Sequence, residues 1–139
     1  MKEVLINGYQ RLSAGAAFVG LAVACMIVGY FNPTTTGIFP ACPTLALTGF
    51  ACPGCGLTRG FHALFNGEIL TALSFNALIP IYFIFLLYIV GMLLSISLRG
   101  KSLQYKFFAP ALFMGYMGIA LVFGVLRNIP VHPFTVLYP

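Results

Sequence analysis

Apolar residues run along this chain in long blocks divided by short charged patches. There is no Asp, Glu, Lys or Arg between Arg11 and Arg59, between Glu68 and Arg99, or between Lys106 and Arg127. A helix needs roughly 20 mostly apolar residues to cross a bilayer, and each gap is long enough for one. The pattern predicts spans over 12–31, 77–98 and 107–126. Ala14, Gly15, Ala17, Gly20 and Ala24 put small residues on successive turns of the first span, which lets helices approach closely in lipid. Pro80 falls in the first turn of the second, where its missing N–H has no helical partner to lose. Leu21 stands one residue too far from Cys25 for a lipoprotein cleavage site, so the first span is expected to stay as an uncleaved anchor.

Residues 32–56 break this regularity. Pro33, Pro40, Pro43 and Pro53, with Gly37, Gly49, Gly54 and Gly56, argue against a continuous helix. Ile38, Phe39, Leu45, Leu47 and Phe50 nevertheless keep the stretch apolar. A Cys/Pro/Gly-rich loop lying in the membrane interface is predicted, and it can dip deeper only where protein covers its backbone. Residues 57–75 return to a period of 3.6: Leu57, Phe61, Leu64, Phe65 and Leu73 fall on one side, and Thr58, His62, Asn66 and Glu68 largely opposite. One amphipathic helix along the interface is predicted there. The tail after Arg127, with Pro130, Pro133 and Pro139, reads as irregular. The expected whole is a single membrane domain over 1–139: an all-α integral membrane protein with three transmembrane helices and one amphipathic interfacial helix.

Composition supports a bilayer as the solvent. The chain is 60% hydrophobic and 6% charged, against about 25% charged in soluble domains, which excludes an ordinary solvated surface. The net charge of +5 is no nucleic-acid footprint, because the seven basic residues form no stripe with interleaved aromatics. No nucleic-acid partner is expected. The charges read as topology signals instead. Lys2, Arg11, Arg99, Lys101 and Lys106 fall on one side of the predicted spans, and Arg59 and Arg127 on the other. Short loops rich in Lys and Arg stay in the cytoplasm. The N-terminus is therefore expected inside, and the Cys loop and C-terminus outside.

The chemistry gathers at Cys42, Cys52 and Cys55; Cys25, mid-span, reads as a small core residue. A C-x-x-C pair can close a reversible disulfide or supply two thiolates to a metal. The Cys52-Pro53-Gly54-Cys55-Gly56 spacing is similar to a zinc-ribbon knuckle. Cys42 adds a third ligand, and His62, two turns after Cys55, a fourth, making a Cys3His set with zinc as the candidate ion. The redox alternative rests on topology: outside the cytoplasm thiols pair, and a helix N-terminus lowers a thiol pKa. Cys52 and Cys55 are then the candidate catalytic residues, with Cys42 as their partner thiol. A static disulfide is the third option. Thr58, Arg59, Arg127, Asn128 and His132 fall on the same outer side and form a candidate site for an anionic group, whether lipid headgroup, phosphate or carboxylate. No other catalytic signature is present. The chain has two acidic residues and contains no Gly-x-Ser-x-Gly run, phosphate-binding loop or His-Glu-x-x-His.

Cys42-Pro43, Thr48-Gly49, the run Cys52-Pro53-Gly54-Cys55-Gly56-Leu57-Thr58-Arg59, then Leu64, Gly67, Ala72, Asn76 and Arg127-Asn128 resemble a family of small bacterial membrane proteins. That family is catalogued as a domain of unknown function with a Cys-Pro-x-Cys-Gly-x-Thr-Arg signature. The resemblance is good over 42–76 and looser elsewhere, and Glu68 stands where the family commonly has Asp. It implies a bacterial inner-membrane protein without implying an activity. The leading expectation is a small membrane protein whose outer Cys loop is held by a metal or disulfide and which presents Arg59 and Arg127 to an anionic ligand, lipid or partner. The alternatives are a membrane thiol-disulfide oxidoreductase using Cys52 and Cys55, and an accessory subunit of a larger membrane complex.

Overall fold

The computed structural model describes residues 7–37, 39, 42–100, 110–132 and 134–137. Among these residues every regular element is helical: α1 Gly8–Tyr30, α2 Pro43–Thr48, α3 Leu57–Phe65, α4 Ile69–Phe75, α5 Ile79–Arg99, α6 Pro110–Leu126 and a closing 3-10 turn, Phe134–Leu137. Helices α1 and α5 are long and apolar enough to cross a membrane. At about 1.5 Å per residue each exceeds a hydrocarbon core of roughly 30 Å. Helix α6 has 17 residues and falls short of that length by the same measure. The expected third span begins at 107, and 101–109, with Lys101 and Lys106, lie outside the described residues, as does Lys2. Two helices of spanning length are what the structure shows.

Helices α1 and α5 form an antiparallel hairpin fastened at both ends. At one end Arg11 reaches from the first turns of α1 to the last carbonyls of α5. Its Nε and Nη2 donate to Ser97 O at 3.3 and 3.2 Å, and Nη2 also donates to Leu98 O at 3.1 Å. These are carbonyls that a helix C-terminus leaves without internal donors, and a cation suits the negative end of the dipole. At the other end α3 does the same for α1. His62 Nδ1 lies 2.7 Å from Val28 O, and Asn66 Nδ2 donates to Gly29 O at 3.3 Å. Large apolar side chains such as Leu12, Met26, Leu87, Leu98, Met114 and Val125 remain exposed along α1, α5 and α6.

The single helix expected over 57–75 is two helices. Gly67 adopts φ +82°. Its N–H bonds Leu64 O at 3.1 Å, and the N–H of Glu68 bonds Ala63 O at 2.9 Å. This pair of bonds is a Schellman motif, and only a residue comfortable in the left-handed region can close it. The chain therefore turns back, and α4 packs onto α3 around Ala63, Ala72 and Ile79. Gly60 makes that packing possible, because a Cβ there would meet Ile79 Cδ1 at 2.6 Å and Ala72 O at 3.2 Å. The loop expected over 32–56 likewise contains α2. Pro43 sits in its first turn, where proline is preorganised for a helix, and Gly49 ends it.

Candidate metal centre

The Cys52-Pro53-Gly54-Cys55 run is a tight turn, closed by Cys55 N–H to Cys52 O at 3.0 Å and followed by Leu57 N–H to Gly54 O at 3.0 Å. Pro53 occupies the corner where its fixed φ fits such a turn. The turn delivers both sulfurs to one side at the start of α3. Cys42, immediately before α2, brings a third. Cys52 Sγ lies 3.5 Å from Cys42 Sγ and 3.4 Å from Cys55 Sγ, and all three sulfurs lie within 4.8 Å of one another. A tetrahedral zinc with bonds of about 2.3 Å holds its sulfurs roughly 3.8 Å apart, so the two short edges at Cys52 need only a small expansion to close on an ion.

All four cysteines are free. The expected disulfide is absent from the structure, because contacts of 3.4 and 3.5 Å are far longer than an S–S bond of about 2.05 Å. His62 does not join the cluster either. Among the described residues the group that can hold an ion is Cys42, Cys52 and Cys55, while His62 directs Nδ1 at the end of α1. Cys25 lines a separate apolar cleft with Val28, Phe61 and Phe85.

Cys42 and Cys55 are shifted in opposite directions. Cys42 is pulled down from 9.0 to about 7, first by hydrogen bonding from the Cys55 side chain and then by the Leu45 amide. Burial, then hydrogen bonding with Cys42, pushes Cys55 up from 9.0 to about 12. A metal using all three sulfurs must displace the Cys55 proton at any ordinary pH. Its affinity therefore falls as the medium is acidified, because protons compete for the same lone pair.

The loop backbone is held from behind by three polar side chains. Buried Asn76 donates from Nδ2 to Pro53 O at 2.8 Å and Cys55 O at 3.1 Å, and its Oδ1 accepts from Leu78 N–H at 2.9 Å. Asn128 brackets Ala51, donating to its carbonyl and accepting from its amide, both at 2.8 Å. Arg127 donates from Nη1 to Cys52 O at 2.9 Å and Cys55 O at 3.1 Å, and from Nε to Leu137 O at 3.1 Å. Its guanidinium also lies 5.0 Å over the Phe123 ring.

Arg127 is 1% exposed, its Nη2 has no partner, and among the described residues it has no carboxylate. Burial lowers its pKa, and the neighbouring Cys55, Cys52 and Cys42 sulfurs oppose that shift. A buried cation needs a buried anion, and among the described residues these sulfurs are the groups beside it that can become anionic. A divalent ion bound by three thiolates would carry one net negative charge, which Arg127 would balance.

A family model described as Protein of unknown function (DUF2752) matches residues 42–90. The DUF2752 stretch begins on Cys42, takes in all three sulfurs, Thr58, Arg59 and Asn76, and runs into α5. It agrees with the resemblance to an uncharacterised family. Arg127 and Asn128, which hold its turn, lie outside it. No curated protein and no solved structure matches the chain.

The five residues expected to gather around an anion are therefore divided. Arg127 and Asn128 are turned onto the backbone of the turn at Cys52–Cys55 and the residue before it, and His132 is exposed. Thr58 and Arg59 share a cavity with all three cysteines. Asn76 was not among the expected site residues. The signal that could have found it is an isolated amide at the entrance of the apolar block that becomes α5.

Proposed function

We propose that this chain is a small membrane protein that carries a zinc–thiolate centre at one end of its helical hairpin, bound by Cys42, Cys52 and Cys55. The observation behind the reading is the triangle of free sulfurs beside Arg127, a buried guanidinium with no carboxylate partner among the described residues. Soft thiolates select zinc or monovalent copper. Charge balance against a single guanidinium favours the divalent ion, since a monovalent one would leave the centre with a surplus negative charge. Coordination also keeps the thiolates from pairing in an oxidising compartment.

In this reading α6 is the third span. The N-terminus is cytoplasmic and the centre lies on the outer side of a bacterial inner membrane. In the sequence, Lys2, Arg11, Arg99, Lys101 and Lys106 fall on one side of the spans against Arg59 and Arg127 on the other, and this bias supports that orientation through the excess of basic residues in cytoplasmic loops. The lipid bilayer is the partner that covers the apolar flanks of α1, α5 and α6.

Elemental analysis of the purified full chain, with thiols counted before and after reduction and chelation, tests the reading. The expected result is one zinc per chain, with Cys42, Cys52 and Cys55 protected until the metal is stripped. A metal-free protein in which reduction releases a Cys52–Cys55 bridge would overturn it in favour of thiol redox chemistry.

A further inference from the structure

The centre has three protein ligands and a cavity where a fourth would stand. Cys42, Cys52 and Cys55 all line an open space of about 580 Å³, shared with Thr34, Thr58 and Arg59. Three protein ligands with an open position describe a zinc site that takes a ligand from outside, whereas structural sites are closed by four. Among the described residues no histidine, carboxylate or further cysteine completes the set.

The residues that share this cavity with the sulfurs include the cation Arg59. Among the described residues the guanidinium of Arg59 has no hydrogen-bond or ion-pair partner. It is steadied only by the Phe75 ring, 5.4 Å from its carbon, so its planar fork of donors is uncommitted. Arg59 and Thr58 also lie in the first turn of the nine-residue α3. A first turn leaves backbone N–H groups unpaired and carries the positive end of the dipole. Charge balance points the same way. With three thiolates, a divalent ion and Arg127 the inner centre is neutral, and Arg59 adds a further positive charge to the cavity lining. An anion entering the cavity would find a Lewis acid and a guanidinium lining the same space.

We propose that the fourth position of the centre is an exchangeable site for a phosphate-type oxyanion, bound by the metal through one oxygen and by Arg59 through others. The inference rests on the zinc–thiolate reading. Binding is a substitution. An oxygen lone pair of the anion bonds to the metal, a solvent water leaves it, and no atom changes oxidation state. The guanidinium fork suits such a group because it donates two parallel hydrogen bonds to two oxygens. The anion is either a free phosphate or the headgroup of an anionic lipid, and both present the same oxygens.

Cobalt substitution of the full chain separates these questions. The sulfur-to-cobalt charge-transfer band reports loading of the thiolates, and the d–d bands report the fourth ligand. Inorganic phosphate is titrated into the cobalt protein in neutral detergent. In parallel, the protein is placed in phosphatidylcholine nanodiscs with and without phosphatidylglycerol. The expected result is a d–d shift in at least one arm. A shift with phosphate in detergent identifies a free oxyanion, and a shift confined to phosphatidylglycerol identifies a headgroup. Arg59→Gln should keep the charge-transfer band and weaken the shift by at least about tenfold in apparent affinity, as loss of a charge-assisted hydrogen bond implies. Arg59→Lys should recover part of it. No shift in either arm, or an equal shift in Arg59→Gln, would overturn the inference while leaving the centre intact. Absence of the charge-transfer band from the wild-type sequence after cobalt loading would instead overturn the zinc reading beneath it.

Discussion

Cys52→Ser is expected to lose tight zinc binding, while Cys25→Ser keeps it. Cys52 Sγ lies within 3.5 Å of both other sulfurs. Removing it leaves Cys42 and Cys55, one tuned toward thiolate and the other held protonated by burial. Structural zinc binding amounts to roughly 10–16 kcal/mol over four ligands. One thiolate is then worth on the order of 3 kcal/mol, or about two orders of magnitude in Kd. Competition against a chromophoric chelator measures this directly. The residual affinity should fall further on acidification, since the Cys55 proton must still be displaced. Cys25 contributes no sulfur to the cluster, so an effect of Cys25→Ser comparable to that of Cys52→Ser would contradict the assignment of ligands.

The second large effect is expected at Arg127. Arg127→Met fills similar space but removes the charge that faces the thiolates and the donors to Cys52 O, Cys55 O and Leu137 O. Removing one member of a buried charge pair costs about 3–5 kcal/mol, because the other is left uncompensated. Loss of a group that orients metal ligands typically costs about 10–100-fold in affinity. The zinc-loaded protein should therefore show a lower melting temperature and a weaker zinc Kd. The metal-free protein should be less affected, because its protonated sulfurs present less charge. Arg127→Lys should fall between, since one ammonium keeps the charge but cannot span three carbonyls as the fork does. Equal destabilisation of both forms would make Arg127 a loop clamp without electrostatic duty.

The hairpin helices are legible in the sequence because lipid imposes a one-dimensional rule: long runs without charge. The turn at residues 66–68 was written there too, in Asn66-Gly67, but the 3.6-residue pattern continues across it and masks it. Gly67 matters through its φ, which periodicity does not report. Pro43 and Gly49 were visible as helix breakers, yet here they delimit the short helix that brings Cys42 to the cluster.

The three cysteines were legible as a set, since the chain has few polar residues to compete with them. The fourth ligand was not. His62 is well spaced from Cys55 along a helix, but it is spent on Val28 O, a partner 34 residues away. Arg127 and Asn128 likewise meet the Cys turn across separations of 72 to 77 residues. A sequence shows that such residues are unusual in an apolar chain. It does not show whether they face outward to a ligand or inward to a backbone carbonyl.

The central claim is that Cys42, Cys52 and Cys55 together hold one metal ion whose fourth position is not sulfur. X-ray absorption at the zinc edge on the purified full chain tests it most directly. The account predicts three sulfur scatterers at about 2.3 Å and one oxygen near 2.0–2.2 Å. A shell of oxygen and nitrogen alone, or four sulfurs from bridging between chains, would contradict it.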